Sequence, residues 1–193
     1  MEYISIKQNL LWKKYFKLFT SLTTLKKFFL AFGFAILTGI SAQFFIKLPF
    51  TTVPLTSQVL VVLCSGLLLG KTFGAISQIL YLAGGSIGIR WFYLSQSGLF
   101  RHTTGYIIGF IVASYIIGFL TERKDSAANR MVSMFIGVLI ILTLGTLWLS
   151  IFQQISLTKA FTFGFIPFLP LDLIKAYFAG TVINLIKKEW SLR

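Results

Sequence analysis

Reactive and ionisable side chains are scarce in this sequence. A single cysteine, Cys64, stands among 193 residues, so the chain carries no disulfide framework and no thiol redox pair. Cys64 sits in the run VLVVLCSGLLLG, where an inert packed thiol is the expected role. A single histidine, His102, leaves no group of side chains at metal-ligand spacing, which argues against zinc chemistry. Acids are equally rare: five Asp and Glu stand against 18 Lys and Arg, and charged residues make up 12% of the chain. Soluble domains carry roughly 25%.

What fills the chain is apolar. Hydrophobic residues make up 56% of it, and its mean hydropathy is +0.83. These values describe an integral membrane protein. In so apolar a chain the excess of cations reports membrane orientation rather than nucleic-acid binding. Apolar runs able to cross a bilayer can be drawn at 28–46, 55–69, 73–89, 105–120, 131–151 and 166–186. The second and third are short and nearly fused.

Six helices return both termini to one side. On that side fall Lys7, Lys13, Lys14, Lys17, Lys26, Lys27, Lys71, Arg123, Lys124, Arg130, Lys187, Lys188 and Arg193, against Lys47, Arg90, Arg101 and Lys159 on the other. The positive-inside rule therefore makes both termini cytoplasmic. Residues 1–27 alternate lysines with Leu10, Leu11, Tyr15, Leu18 and Phe19, the pattern of an amphipathic helix lying on the inner leaflet. The chain thus divides into this basic segment, 1–27, and a six-helix transmembrane domain, 28–193.

Two enzyme-like patterns fail on inspection. GLLLGKT, from Gly66 to Thr72, imitates a phosphate-binding loop, but three leucines separate the glycines where four residues are required. It reads instead as a tight turn between the second and third helices. An aspartyl protease needs paired carboxylates, and Asp172 is the single acid within the drawn spans. The chain is therefore not expected to be an enzyme or to need a cofactor.

Three features remain to be explained. Asp172 and Lys175 lie three apart near the start of the last apolar run, so they share a helix face. Such residues are costly within a membrane and mark either a packing ion pair or a site for a small polar ligand. The stretch AQFFIKLPFTTVPLTSQ, 42–58, interrupts the apolar pattern with two prolines, three threonines and two glutamines. Broken backbone of this kind belongs over a pocket or in a plain external hairpin. Ala31, Ala35 and Gly39 recur at four-residue spacing, a smooth stripe suited to close helix packing, within the chain or with a partner.

These stretches together resemble the BioY proteins, the biotin-binding S-components of energy-coupling-factor (ECF) transporters. The resemblance runs through AQFFIKLPFTTVPLTSQVLVVLCSGLLLG, GAISQILYLAGGSIG, TGYIIGF and FLPLDLIKA, from about Ala31 to Ala179. It implies an all-α S-component-like fold in the cytoplasmic membrane, with biotin as the transported ligand. A transmembrane scaffold (the T-component) and ATPase subunits would be the partners. It further implies a site built from Asp172 and Lys175 with Gln43, Thr56, Gln58, Tyr81 and Tyr106, and a docking role for Ala31, Ala35 and Gly39.

The chain departs from the family between its third and fourth helices. Arg90 stands where proline is usual, Leu94 falls near a usual asparagine, and RHTTGY replaces the customary Gly-Pro-Thr-Gly-Gly-Tyr. Arg90, Arg101 or His102 would then hold the ligand carboxylate. The alternatives are a divergent S-component for another small vitamin or a biotin precursor, and a non-transporting membrane scaffold.

Overall fold

The structure is a computed structural model; it describes residues 21–98, 100–124 and 126–190, with side chains as far as Asn184. The amphipathic helix expected in 1–27 falls for the most part outside these residues. Among the described residues six α-helices carry the fold: α1 (Thr24–Ser41), α2 (Gln58–Ser86), α3 (Thr104–Arg123), α4 (Ala127–Gln153), α5 (Leu157–Gly164) and α6 (Leu169–Trp190). Between α1 and α2 lies a small antiparallel pair, β1 (Phe45–Ile46) and β2 (Leu55–Thr56).

The element α2 is two helical limbs, not one rod. Gly70 takes φ 73° and ψ −179° and breaks the helix. On a straight helix Gln58 and Tyr81 would stand about 35 Å apart, yet Gln58 Nε2 donates to the Tyr81 hydroxyl at 2.7 Å. The limbs 58–69 and 71–86 therefore fold back on each other, which realises the turn expected at GLLLGKT. A Cβ at Gly70 would meet the Glu122 carboxylate at 2.6 Å. That carboxylate accepts from the Lys71 N–H at 2.9 Å and pairs with Lys71 Nζ at 3.2 Å, so α3 caps the second limb where it begins.

Close backbone approach holds the remaining helices together. A Cβ on Gly66 would lie 2.6 Å from the Ser114 carbonyl, so α2 and α3 meet without side chains between them. At the same contact Gln78, Ser65, Ser77, Ser114 and Thr38 are fully buried. Gln78 Nε2 donates to Ser65 Oγ at 3.1 Å and to Ser77 Oγ at 3.0 Å, and the Ser65 and Ser114 hydroxyls share a hydrogen bond of 3.1 Å. Buried polar groups must find partners, and here the two limbs and α3 supply them to one another.

Among the described residues four helices, α1 to α4, have the length and apolarity to cross a membrane. The helices α5 and α6 form a fifth such unit across a 47° bend. Three of the drawn boundaries move. The first helix stops at Ser41 rather than 46, because Phe45 and Ile46 are apolar strand residues paired with Thr56 and Leu55. The second and third runs join as the hairpin α2. The helix of the last run, α6, starts at Leu169 rather than 166, and the separate helix α5 precedes it after Gln154 reverses the chain at φ 53°.

Candidate ligand-binding site

A pocket partly open to solvent lies at the end of the bundle where α2, α3 and α6 begin. β2 and its approach cover one side through Val53, Pro54, Leu55 and Thr56. The deep wall is apolar: Val59, Ile107, Phe110, Ile141, Leu142 and Phe168. Polar groups enter at few places, namely Thr56, Gln58, Tyr81, Tyr93, Thr103, Tyr106 and Asp172. An apolar chamber with sparse, directed polar groups is the usual form of a small-molecule site.

Asp172 sits in the first turn of α6 and is 3% exposed. Pro167 and Pro170 flank this start, and the Asp172 N–H is bonded to the Phe168 carbonyl at 2.9 Å. Lys175 Nζ donates to Asp172 Oδ1 at 2.7 Å and to the Thr56 carbonyl at 2.7 Å. One ammonium thus neutralises the buried acid and ties β2 to α6. Lys175 supports the cavity from behind Asp172 and is not itself part of the lining.

The other expected residues divide into two groups. Thr56, Gln58, Tyr81 and Tyr106 join Asp172 in the lining. Gln58 and Tyr81 bond to each other, and Tyr106 donates to the Gly164 carbonyl at 2.7 Å, which orients its ring along the wall. Gln43, Arg90 and Arg101 are not in the lining. Gln43 bonds to the backbone of Trp91, Phe92 and Ser95. Arg90 is exposed on the 87–98 loop. Arg101 is engaged with Gln96 Oε1 and with the Ser97 carbonyl.

The electrostatic consequence is specific. Among the described residues no Arg, Lys or His lines the cavity, and Asp172 is its one ionisable carboxylate. His102 stands nearby on the segment leading into α3, and among the described residues its Nε2 has no hydrogen-bond partner. Burial and the adjacent Arg101 guanidinium hold its imidazole below the usual value, against a hydrogen bond with the Thr52 backbone that acts in the opposite sense.

Ala31, Ala35 and Gly39 turn inward. Ala31 and Ala35 are 0% exposed, and Gly39 abuts the Trp91 side chain. The stripe therefore packs within the chain, and the surface α1 leaves open is made by Phe29, Phe32, Leu37 and Ile40.

Sequence reasoning missed Phe92 and Tyr93, which close the cavity from the 87–98 loop. Their signal was present as the aromatic run WFY, 91–93, in an otherwise polar loop. It also missed Ile141 and Leu142, which no local pattern separates from other apolar residues of α4.

Known proteins place this chain in a family. The BioY family matches residues 13–191. The biotin transporter BioY of Thermotoga maritima is 36% identical over 146 residues, 74% of this chain and 86% of that protein. A probable biotin transporter BioY of Pyrococcus horikoshii is 37% identical over 147 residues, 74% of this chain and 85% of that protein. The crystal structure of the S-component for biotin from an ECF-type ABC transporter superposes with a TM-score of 0.78 at 23% identity, covering 87% of this chain and 95% of that one. At that identity the likeness speaks for the fold.

Proposed function

The chain belongs to the BioY family, and we propose that it is the biotin-binding S-component of an ECF-type transporter in the cytoplasmic membrane. The observation that carries this reading is Asp172: a buried carboxylate facing an apolar chamber, with one oxygen taken by Lys175. Biotin presents two ureido N–H donors, a carbonyl, an apolar thioether ring and a carboxylate tail. Asp172 accepts from the ureido N–H groups through its remaining oxygen, while Lys175 pairs with the other. The apolar wall of Phe110, Ile141, Leu142 and Phe168 receives the fused rings, with Thr56, Gln58, Tyr81 and Tyr106 around them. The tail then points toward the open mouth.

Six apolar segments, counting the limbs of α2 separately, cross the membrane with both termini cytoplasmic. Lys71, Arg123, Lys124 and Arg130 lie at the end opposite the cavity, where the positive-inside rule places the cytoplasm. The cavity thus faces outward. Energy for uptake comes from a T-component and ATPase subunits, consistent with the absence of a phosphate-binding loop in this sequence.

A second reading keeps the fold and changes the ligand. Among the described residues the lining holds no cation for a ligand carboxylate, which favours a related small vitamin or biotin precursor with an uncharged tail. Binding of labelled biotin to the purified chain, challenged with ring-opened and tail-amidated analogues, separates the two. Biotin binding abolished by ring opening supports the first reading; preference for the amidated analogue supports the second.

A further inference from the structure

Gln43 lies two residues beyond α1, exposed and outside the cavity, yet both ends of its carboxamide are engaged. Nε2 donates to the Phe92 carbonyl at 3.0 Å and to the Trp91 carbonyl at 3.3 Å, while Oε1 accepts from the Ser95 N–H at 3.1 Å. The same short segment carries Phe92 and Tyr93, which form the cavity's closing wall. Trp91 is wedged between α1 and α2: a Cβ on Gly39 would lie 3.0 Å from the Trp91 Cβ, and Gly84 on α2 abuts the indole. Phe45, two residues after Gln43, meets Tyr93 edge to face at 4.8 Å.

The segment is held under strain. Leu94 (φ 57°) and Ser95 (φ 51°) are consecutive left-handed residues with side chains, a conformation that persists only where the surroundings impose it. Arg101 fixes the far end through Gln96 and Ser97, and Gln43 fixes the near end. Removing the near tie frees the backbone to relax outward and take Phe92 and Tyr93 with it.

We infer that Gln43 is the latch of the cavity, a positioning residue that fastens the wall 91–95 to the end of α1. Any displacement of α1 at this end then loosens the wall and opens the chamber. The ligand arm of the test rests on the biotin reading above; a second arm does not.

The full chain in detergent is compared with Gln43→Ala and Gln43→Glu. Loss of the latch hydrogen bonds is expected to speed dissociation of labelled biotin about tenfold in Gln43→Ala. Gln43→Glu keeps the acceptor for Ser95 but sets a carboxylate oxygen against the Trp91 and Phe92 carbonyls, so it is expected to speed dissociation at least as much. Without ligand, trypsin is expected to cut Gln43→Ala faster at Arg90 and Arg101, with cutting at Arg123, Lys124 and Arg130 unchanged. Unaltered cleavage at Arg90 and Arg101 overturns the latch, as does equal acceleration at both ends, which means general loosening. If the wild type fails to bind biotin, the ligand reading falls and the trypsin arm still decides the latch.

Discussion

Lys175 on α6 donates from Nζ to the backbone carbonyl of Thr56, 119 residues earlier in the chain, at 2.7 Å. The same ammonium holds Asp172, so the cover of the cavity and its buried acid share one cation. Lys175→Met keeps the length of the stem and removes the charge. It leaves Asp172 uncompensated and β2 untied, and is expected to cost about 3 kcal/mol of stability, together with ligand binding. Thermal unfolding in detergent reads the first effect. The double variant Asp172→Leu with Lys175→Met should recover stability without recovering binding, because two apolar groups leave no unpaired charge.

Gly118 presses on the turn between the limbs of α2, and a Cβ there would run into the backbone of Gly70 and Lys71. Backbone cannot rotate away as a side chain can. Gly118→Ala is therefore expected to lower stability by about 1–3 kcal/mol. Gly33→Ala on α1 is the control, since among the described residues a Cβ there meets nothing within 4 Å. It should be neutral or slightly stabilising, and both are read from melting temperatures under identical detergent conditions.

His102 supplies a pH dependence with a definite sign. Its folded-state value lies below the usual 6.5, so the unfolded chain takes up a proton at a pH where the folded chain does not. Stability from this group is present above pH about 6.5 and is lost as pH falls through that value toward the folded-state one. Unfolding followed from pH 8 to pH 5 should show a decline that His102→Asn flattens.

The sequence revealed the parts of this protein that conflict with their surroundings. An acid and a base within an apolar run had to be neutralised or used, and Asp172 and Lys175 are paired at the cavity. Pro49 and Pro54 in the 42–58 stretch signalled backbone that could not continue a helix, and this stretch forms the paired cover. GLLLGKT read as a turn because a phosphate loop did not fit, and Gly70 makes that turn.

Other features could not be read because local pattern is blind to direction. A stripe of small residues packs equally well inward or outward, and only the placement of α2 and Trp91 turned Ala31, Ala35 and Gly39 inward. Arg90 and Arg101 are cations in a loop near the site, but charge in sequence does not fix where a long side chain ends. Arg101 is spent on Gln96 and Ser97. The separate helix α5 was hidden because its eight residues, LTKAFTFG, are too few to make an apolar run of membrane length.

The most direct test of this account is equilibrium binding of labelled biotin to the purified wild type and to Asp172→Asn. The amide keeps the shape of the carboxylate, removes its charge and turns one acceptor into a donor. The account predicts tight binding by the wild type and a loss of about 1–3 kcal/mol, roughly tenfold to a hundredfold in affinity, in a variant that stays folded. Equal affinity in the two proteins would contradict it, because the buried acid would then have no part in holding the ligand.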